Sequence, residues 1–239
     1  MRLRLTLEYD GTAFRGWAVQ PGLRTVEGAL SEALETVFPS WTGLAIAGRT
    51  DAGVHALANV ASVDVEGGPP AQRVREALNA ELPADAVVLA ADEAPGDFHA
   101  RHSALARSYR YRILRREARS PFEVHHAWWY PHALDEERLA ESADLLRGEH
   151  DFRAFTPTGT QHRAFVRVVE SAVWYRREDT LEFEITANSF LRHMVRTLVG
   201  TMLERSPEEL VALLDGATRS ESGKTAPPWG LYLVSVRYD

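Results

Sequence analysis

Cysteine is absent from the 239 residues, and lysine occurs once, at Lys224. Without cysteine the chain can form no disulfide, hold no metal through thiolates and use no thiol nucleophile. It also lacks any apolar run near the roughly 20 residues that a helix needs to cross a bilayer, so no membrane partner is expected. The first residues alternate in polarity as a strand does, which predicts no signal peptide and a cytoplasmic location. The net charge of −7 weighs against indiscriminate binding to polyanions. Yet all of the 27 basic residues except Lys224 are arginine, whose planar guanidinium grips phosphate in a bidentate way. Hydrophobic residues at 45% and charged residues at 26% describe an ordinary soluble protein, long enough for one large domain or two small ones.

What is present reads as alternating β and α elements. Leu3, Leu5, Leu7 and Tyr9 alternate with polar residues, the period of a half-buried strand. Val26, Leu30, Ala33, Leu34 and Val37 follow helical spacing up to Pro39. Strand-like 44–46 and 58–65 bracket a glycine-rich segment; a helix over 71–79 and a strand over 87–90 follow. Beyond residue 105 the rhythm resumes. Ser108–Leu114 predicts a strand with Tyr109, Tyr111 and Ile113 on one face and Arg110 and Arg112 on the other. Asp135 is a good N-cap for a helix burying Leu139, Ala143 and Leu146. Residues 168–175 and 181–187 predict a hairpin. Ser189 is expected to cap an amphipathic helix that buries Phe190, Leu191, Met194, Val195, Leu198 and Met202. Ser206-Pro207-Glu208-Glu209 is a capping box with Gly216 as the later helix stop, and 231–236 predicts a closing strand. The expected fold class is therefore α+β, in two halves spanning 1–105 and 106–239 that share a mainly antiparallel sheet.

Three segments could carry chemistry. Gly48-Arg49-Thr50-Asp51-Ala52-Gly53 sets an acid between glycines, which allow close approach of another molecule. Alone it reads better as an ordinary loop whose Asp51 caps a turn or pairs with Arg49. From Arg101 to Arg119 there are seven arginines and one acid, Glu117, with Tyr109 and Tyr111 among them. Guanidinium groups for phosphate and rings for stacking an unpaired base suit single-stranded RNA, and Arg101, Arg107, Arg110 and Arg112 are the candidate contacts. The competing reading is a solvated basic strand face. The third segment, Asn188 to Arg196, places Arg192 and Arg196 four apart, on one face of the expected helix. Arg196 sits between inward Val195 and Leu198; if buried it needs an anionic partner, but a boundary arginine reaching out to water is the better reading of the segment alone. Ser222-Gly223-Lys224-Thr225 ends like a phosphate loop, but its upstream glycine is misplaced. His99 with His102 and His125 with His126 lack partners at metal-ligand spacing. No metal and no cofactor are expected.

Together, Gly48-Arg49-Thr50-Asp51-Ala52-Gly53-Val54-His55-Ala56, Asn79-Ala80-Glu81-Leu82-Pro83, Phe98-His99-Ala100-Arg101, Arg107-Ser108-Tyr109-Arg110-Tyr111, Asp151-Phe152, His193-Met194-Val195-Arg196 and Gly230-Leu231-Tyr232-Leu233-Val234 resemble the TruA family of tRNA pseudouridine synthases, in order and along nearly the whole chain. The resemblance implies isomerisation of uridines 38, 39 and 40 in the anticodon arm: the N1–C1′ bond breaks, the base turns, and C5 bonds to C1′. It implies Asp51 as the essential carboxylate, Tyr109 as the ring against the target base, Arg196 as the basic partner of the aspartate, Leu231 as an apolar contact and Arg49 as a grip on the extruded nucleotide. Arg192 joins the other arginines as an expected tRNA contact. The resemblance further implies two ferredoxin-like halves, no cofactor and a homodimer bridged by tRNA. Ala18 and Thr197 depart from the family, where glutamine and asparagine are usual. An inactive RNA-binding module and a carboxylate-based RNA hydrolase are the rival readings. The first has no need of Asp51, and the second predicts strand cleavage or a free base.

Overall fold

A computed structural model describes residues 1–160 and 162–239 and divides into two compact units. The first comprises Met1–Leu105 with Tyr232–Asp239; the second comprises Ala106–Leu231. Both are α+β, and among the described residues the strands run mainly antiparallel. No helix among them is long and apolar enough to cross a membrane.

In the first unit, β1 (Arg2–Tyr9) lies between β3 (His55–Glu66) and β4 (Ala86–Glu93), antiparallel to both. Strand β2 (Ser40–Ile46) pairs with β3 in register Ile46↔Ala61. The alternation of β1 is realised: Leu3, Leu5, Leu7 and Tyr9 are buried. Helix α1 (Val26–Val37) is capped by the Thr25 hydroxyl, which accepts from the Gly28 N–H, and ends before Pro39. Helix α2 (Ala71–Glu81) packs on α1 and β4. Their apolar stripes bury Leu30, Leu34, Val74 and Leu78, as the 3.6-residue period requires. The last residues, expected in the second half, belong here. Strand β10 (Leu231–Arg237) runs parallel to β3, with Tyr232 opposite His55 and Leu233 opposite Ala56.

In the second unit, β5 (Ala106–Leu114), β9 (Thr180–Ala187), β8 (Val166–Arg177) and β7 (Gly148–Asp151) form an antiparallel series, and the short β6 (Trp128–Trp129) pairs parallel to β5. Helix α3 (Glu136–Asp144) has Asp135 as N-cap, its carboxylate accepting from the Arg138 N–H. Helix α4 is Met194–Glu204, and α5 (Pro207–Leu214) carries the expected capping box before Gly216, at φ +86°. The start of α4 differs from expectation. Ser189 does not cap it; residues 191–193 form a turn, and His193 at φ +62° is the N-cap. Asn188 explains the delay: its Oδ1 accepts from the Ser189 and Val168 N–H groups, and its carbonyl from Arg107 Nη1. Those bonds keep the backbone tied to the sheet past the end of β9. Arg192 therefore precedes the helix and is not one turn from Arg196.

Residues 222–226 run back along α4 at backbone contact distance. A β-carbon on Gly200 would lie 1.7 Å from the Lys224 carbonyl oxygen, and one on Gly223 2.7 Å from the Thr201 Cα. Gly223-Lys224-Thr225 is thus a packing segment, and its glycine serves the helix, not a phosphate. We expect Gly200→Ala to lower stability by about 1–3 kcal/mol, because the obstructing atom is backbone. A melting temperature unchanged in circular dichroism would contradict this contact.

Candidate active site

The Asp51 loop joins β2 to β3 and is held from below by residues that precede it by about 40 positions. The Trp17 N–H donates to the Thr50 carbonyl (3.0 Å), and the Gly53 N–H to the Phe14 carbonyl (3.3 Å). Gly53 at φ +77° takes the left-handed turn, and the Val54 N–H closes it on the Asp51 carbonyl (3.1 Å). Gly11 has no room for a side chain, since a β-carbon there would meet the Val54 oxygen at 2.0 Å. Its N–H donates to His55 Nδ1 (3.1 Å), and that buried imidazole stacks on Tyr232 with centroids 4.6 Å apart.

A second tie is a buried polar chain. Asn59 Nδ2 donates to the Tyr9 hydroxyl (3.1 Å) and to the Gly48 carbonyl (2.8 Å), and Tyr9 pairs with the Thr50 hydroxyl (2.8 Å). Burial pushes the Tyr9 phenol up to about 12, so it remains protonated as a hydrogen-bonding group. Gly48 and Thr50 are thereby fixed on either side of Arg49, which is exposed, and Asp51 is half-buried at the loop's outer turn. The arrangement presents one carboxylate and one guanidinium on a rigid turn.

In the second unit, Tyr109 and Tyr111 lie on the buried face of β5. The Tyr109 ring meets Phe190 edge-on at 4.9 Å. Tyr111 donates to the Pro227 carbonyl (2.8 Å), and the Arg196 Nε to the neighbouring Ala226 carbonyl (2.8 Å). Arg196 is half-buried. Burial drives the Tyr111 phenol well above its ordinary value, with the Arg196 guanidinium pulling partly back. Leu231, almost fully buried, follows the tight turn Pro228–Gly230. Tyr109, Arg196 and Leu231 thus belong to one unit, and Asp51 and Arg49 to the other.

The arginines differ among themselves. Arg110 pairs with Glu184 (2.7 Å) and Glu182 (3.4 Å); Arg112 pairs with Glu123 (2.9 Å) and Glu182 (3.4 Å). Glu182 is almost fully buried and holds both guanidinium groups. Arg107 is buried, with Nη1 on the Asn188 carbonyl. These three have partners inside the chain; Arg101 and Arg192 are more exposed, and Arg101 is not without a partner either. The glutamates of β9 that pair with Arg110 and Arg112 lie some 70 residues further on, out of sight of the strand's own sequence. The sequence reading also missed Tyr9, Asn59, Gly11 and Gly16. The visible signal was two glycines flanking Phe14 directly after β1, a place where backbone must approach backbone. Tyr9→Phe removes the central hydroxyl of the buried chain, leaving the Thr50 hydroxyl and Asn59 amide each one partner short. We expect a loss of about 1–3 kcal/mol in urea unfolding. Hydrogen exchange in 48–54 should rise more than in β1, and equal protection in mutant and parent would show that the chain does not hold the loop.

Comparison with known proteins places these elements in a family. A family model described as tRNA pseudouridine synthase matches residues 6–103 and 143–239. The tRNA pseudouridine synthase A of Solibacter usitatus (strain Ellin6076) is 40% identical over 240 residues, covering 99% of each chain. That of Bacillus subtilis (strain 168) is 39% identical over 246 residues, covering 100% of each. Among solved structures, a Cbf5-Nop10-Gar1 complex aligns with a TM-score of 0.44 at 12% identity, over 97% of this chain and 48% of that one. With a family match over most of its length and relatives of this identity end to end, the chain belongs to the tRNA pseudouridine synthase family.

Proposed function

We propose that this protein converts uridine to pseudouridine at positions 38, 39 and 40 of the tRNA anticodon arm, with Asp51 as the essential carboxylate. The observation that carries the reading is the loop Gly48–Ala56: it keeps the family's nine-residue pattern, and the fold invests two separate ties in fixing it. Rigid placement is what a reacting carboxylate needs, since misplacement by about 1 Å can cost 100-fold in rate. A binding module gains nothing from it.

The reaction is an isomerisation. The N1–C1′ bond breaks, the base turns while held, C5 bonds to C1′, and the C5 proton leaves as N1 gains one. No redox change occurs and no water is consumed. The target base must first leave its stack, at a cost of a few kcal/mol. Stacking on Tyr109 and the grip of Arg49 on the extruded nucleotide offset that cost. Arg196 is the cationic partner of Asp51. Leu231 supplies an apolar contact to the base. Arg101 and Arg192, both exposed, together with Arg107, Arg110 and Arg112, are the candidate phosphate contacts. The enzyme acts in the cytoplasm as a homodimer bridged by tRNA, with no cofactor. A monomer in light scattering would remove the dimer from this reading.

Asp51→Ala is expected to bind tRNA with near-parental affinity and to form no pseudouridine when every uridine of an unmodified transcript is mapped. Normal turnover in that variant would end the assignment. Modification confined to uridines outside the anticodon arm would leave the chemistry and remove the specificity. Tyr109→Phe should keep activity within about tenfold if the ring acts by stacking, and Tyr109→Leu should lose 100-fold or more. Loss of activity in Tyr109→Phe to the same degree as in Tyr109→Leu would assign the work to the hydroxyl.

A further inference from the structure

Arg196 is not placed by its helix alone. It lies on the third residue of α4, half-buried, where a long side chain has several rotamers open to it. The segment after α5 narrows that choice. The Ala226 N–H donates to the Arg196 carbonyl (3.0 Å), and the Ala226 carbonyl accepts from Arg196 Nε (2.8 Å). One residue of the segment thus binds the main chain and the side chain of Arg196 together, so the guanidinium can be no better fixed than Ala226 is.

Ala226 in turn hangs on a strap, residues 219–226, laid along α4. The Gly223 N–H donates to the Thr201 hydroxyl (3.0 Å), and Ser222 donates to the Ala154 carbonyl (2.7 Å). The Thr225 hydroxyl meets that of Thr197 (3.1 Å), one turn nearer to Arg196. Inside the strap, Arg219 Nη1 donates to the Ser222 hydroxyl (2.8 Å) and the Gly223 carbonyl (3.1 Å), and its Nη2 to the Thr225 hydroxyl (2.9 Å). A single guanidinium therefore braces this irregular segment at three residues, Ser222, Gly223 and Thr225. Gly200 and Gly223 let the strap come down onto the helix backbone, where ordinary side chains would hold it off. This arrangement exceeds what closing a loop requires, and its bonds converge on the residue that touches Arg196.

We propose that Arg219 and Thr225 are positioning residues for the reaction: through the strap they set Ala226, and through Ala226 they aim the Arg196 guanidinium. The inference rests on the catalytic reading of Arg196 given above. Thr225 is the joint between brace and helix, since its hydroxyl is shared by Arg219 and Thr197. Removing that hydroxyl while keeping the β-branched shape should loosen the aim of Arg196 with little effect on the fold.

The test is a set of four proteins, the parent, Thr225→Val, Thr225→Ser and Arg196→Lys, together with the double variant Thr225→Val/Arg196→Lys. Each is assayed in single-turnover kinetics on an unmodified tRNA transcript. Thr225→Val should lower the rate of the chemical step about tenfold or more with tRNA affinity within about twofold, as a displaced reacting group does. Thr225→Ser should restore most of that rate. In the Arg196→Lys background, which lacks Nε, Thr225→Val should have no further effect, because residues acting as one unit are not additive. The Arg196 Nε–H resonance, identified by its loss in Arg196→Lys, should shift or broaden in Thr225→Val. Equal and additive losses in both backgrounds would make the strap merely structural and overturn the proposal. Thr225→Val with parental kinetics, beside an impaired Arg196→Lys, would overturn the positioning role while leaving Arg196 in place. An Arg196→Lys enzyme with parental rate would instead remove the catalytic reading of Arg196, and this proposal with it.

Discussion

The structure around the candidate site depends on backbone meeting backbone without side chains between. Residues 10–17 press against the 50–54 turn so closely that Gly11 can carry no β-carbon. At Gly16, φ is +95° and a β-carbon would lie 2.9 Å from the Thr50 oxygen. A loop that presents a reactive acid gains most of its usual mobility from solvent-exposed backbone. Here that backbone is bonded from beneath, by Trp17 and Phe14, and from the strand side, by the Asn59–Tyr9–Thr50 chain. Arg49, exposed, and Asp51, half-buried, are then carried on a support that cannot easily relax away from them.

The same economy explains how an acidic chain can carry so many arginines in one strand. On β5 the outward face bears Arg110 and Arg112, and facing positions on β9 bear Glu182 and Glu184. Cross-strand pairing of this kind stabilises a sheet face that would otherwise repel itself. Tyr175 adds its hydroxyl to Glu182 (3.1 Å) and Glu184 (2.8 Å). Its phenol is pushed upward by burial and by its bond to Glu184, so it donates at any physiological pH.

Much of the fold was legible because it rests on local periodicity. The alternation of β1, the stripes of α1 and α2, the Asp135 cap and the capping box at Ser206 each encode their element within a few residues, and each formed where expected. What was not legible depends on partners far along the chain. Asn188 delays α4 because it bonds across to Val168 and Arg107, and no window around Ser189 contains that information. The glutamate partners of β5, the clasp beneath Asp51 and the strap over Arg196 are likewise long-range. Of the candidate site, Asp51, Tyr109 and Arg196 were expected from motifs alone, while the contacts that hold their segments had to be seen in three dimensions.

One feature of the chain path bears on how the protein comes into being. The first unit is discontinuous: β10 lies beside β3 as its parallel neighbour, although residues 106–231 intervene. During synthesis from the N-terminus, the strand edge at His55 and Ala56, directly after the Asp51 loop, stays without that neighbour until residues 232–239 leave the ribosome. His55 likewise lacks the Tyr232 ring on which it stacks. Contacts of such long sequence separation form late and slowly. The Asp51 loop is thus seated last on the side of β10, and a chain interrupted before residue 232 would expose a strand edge beside it.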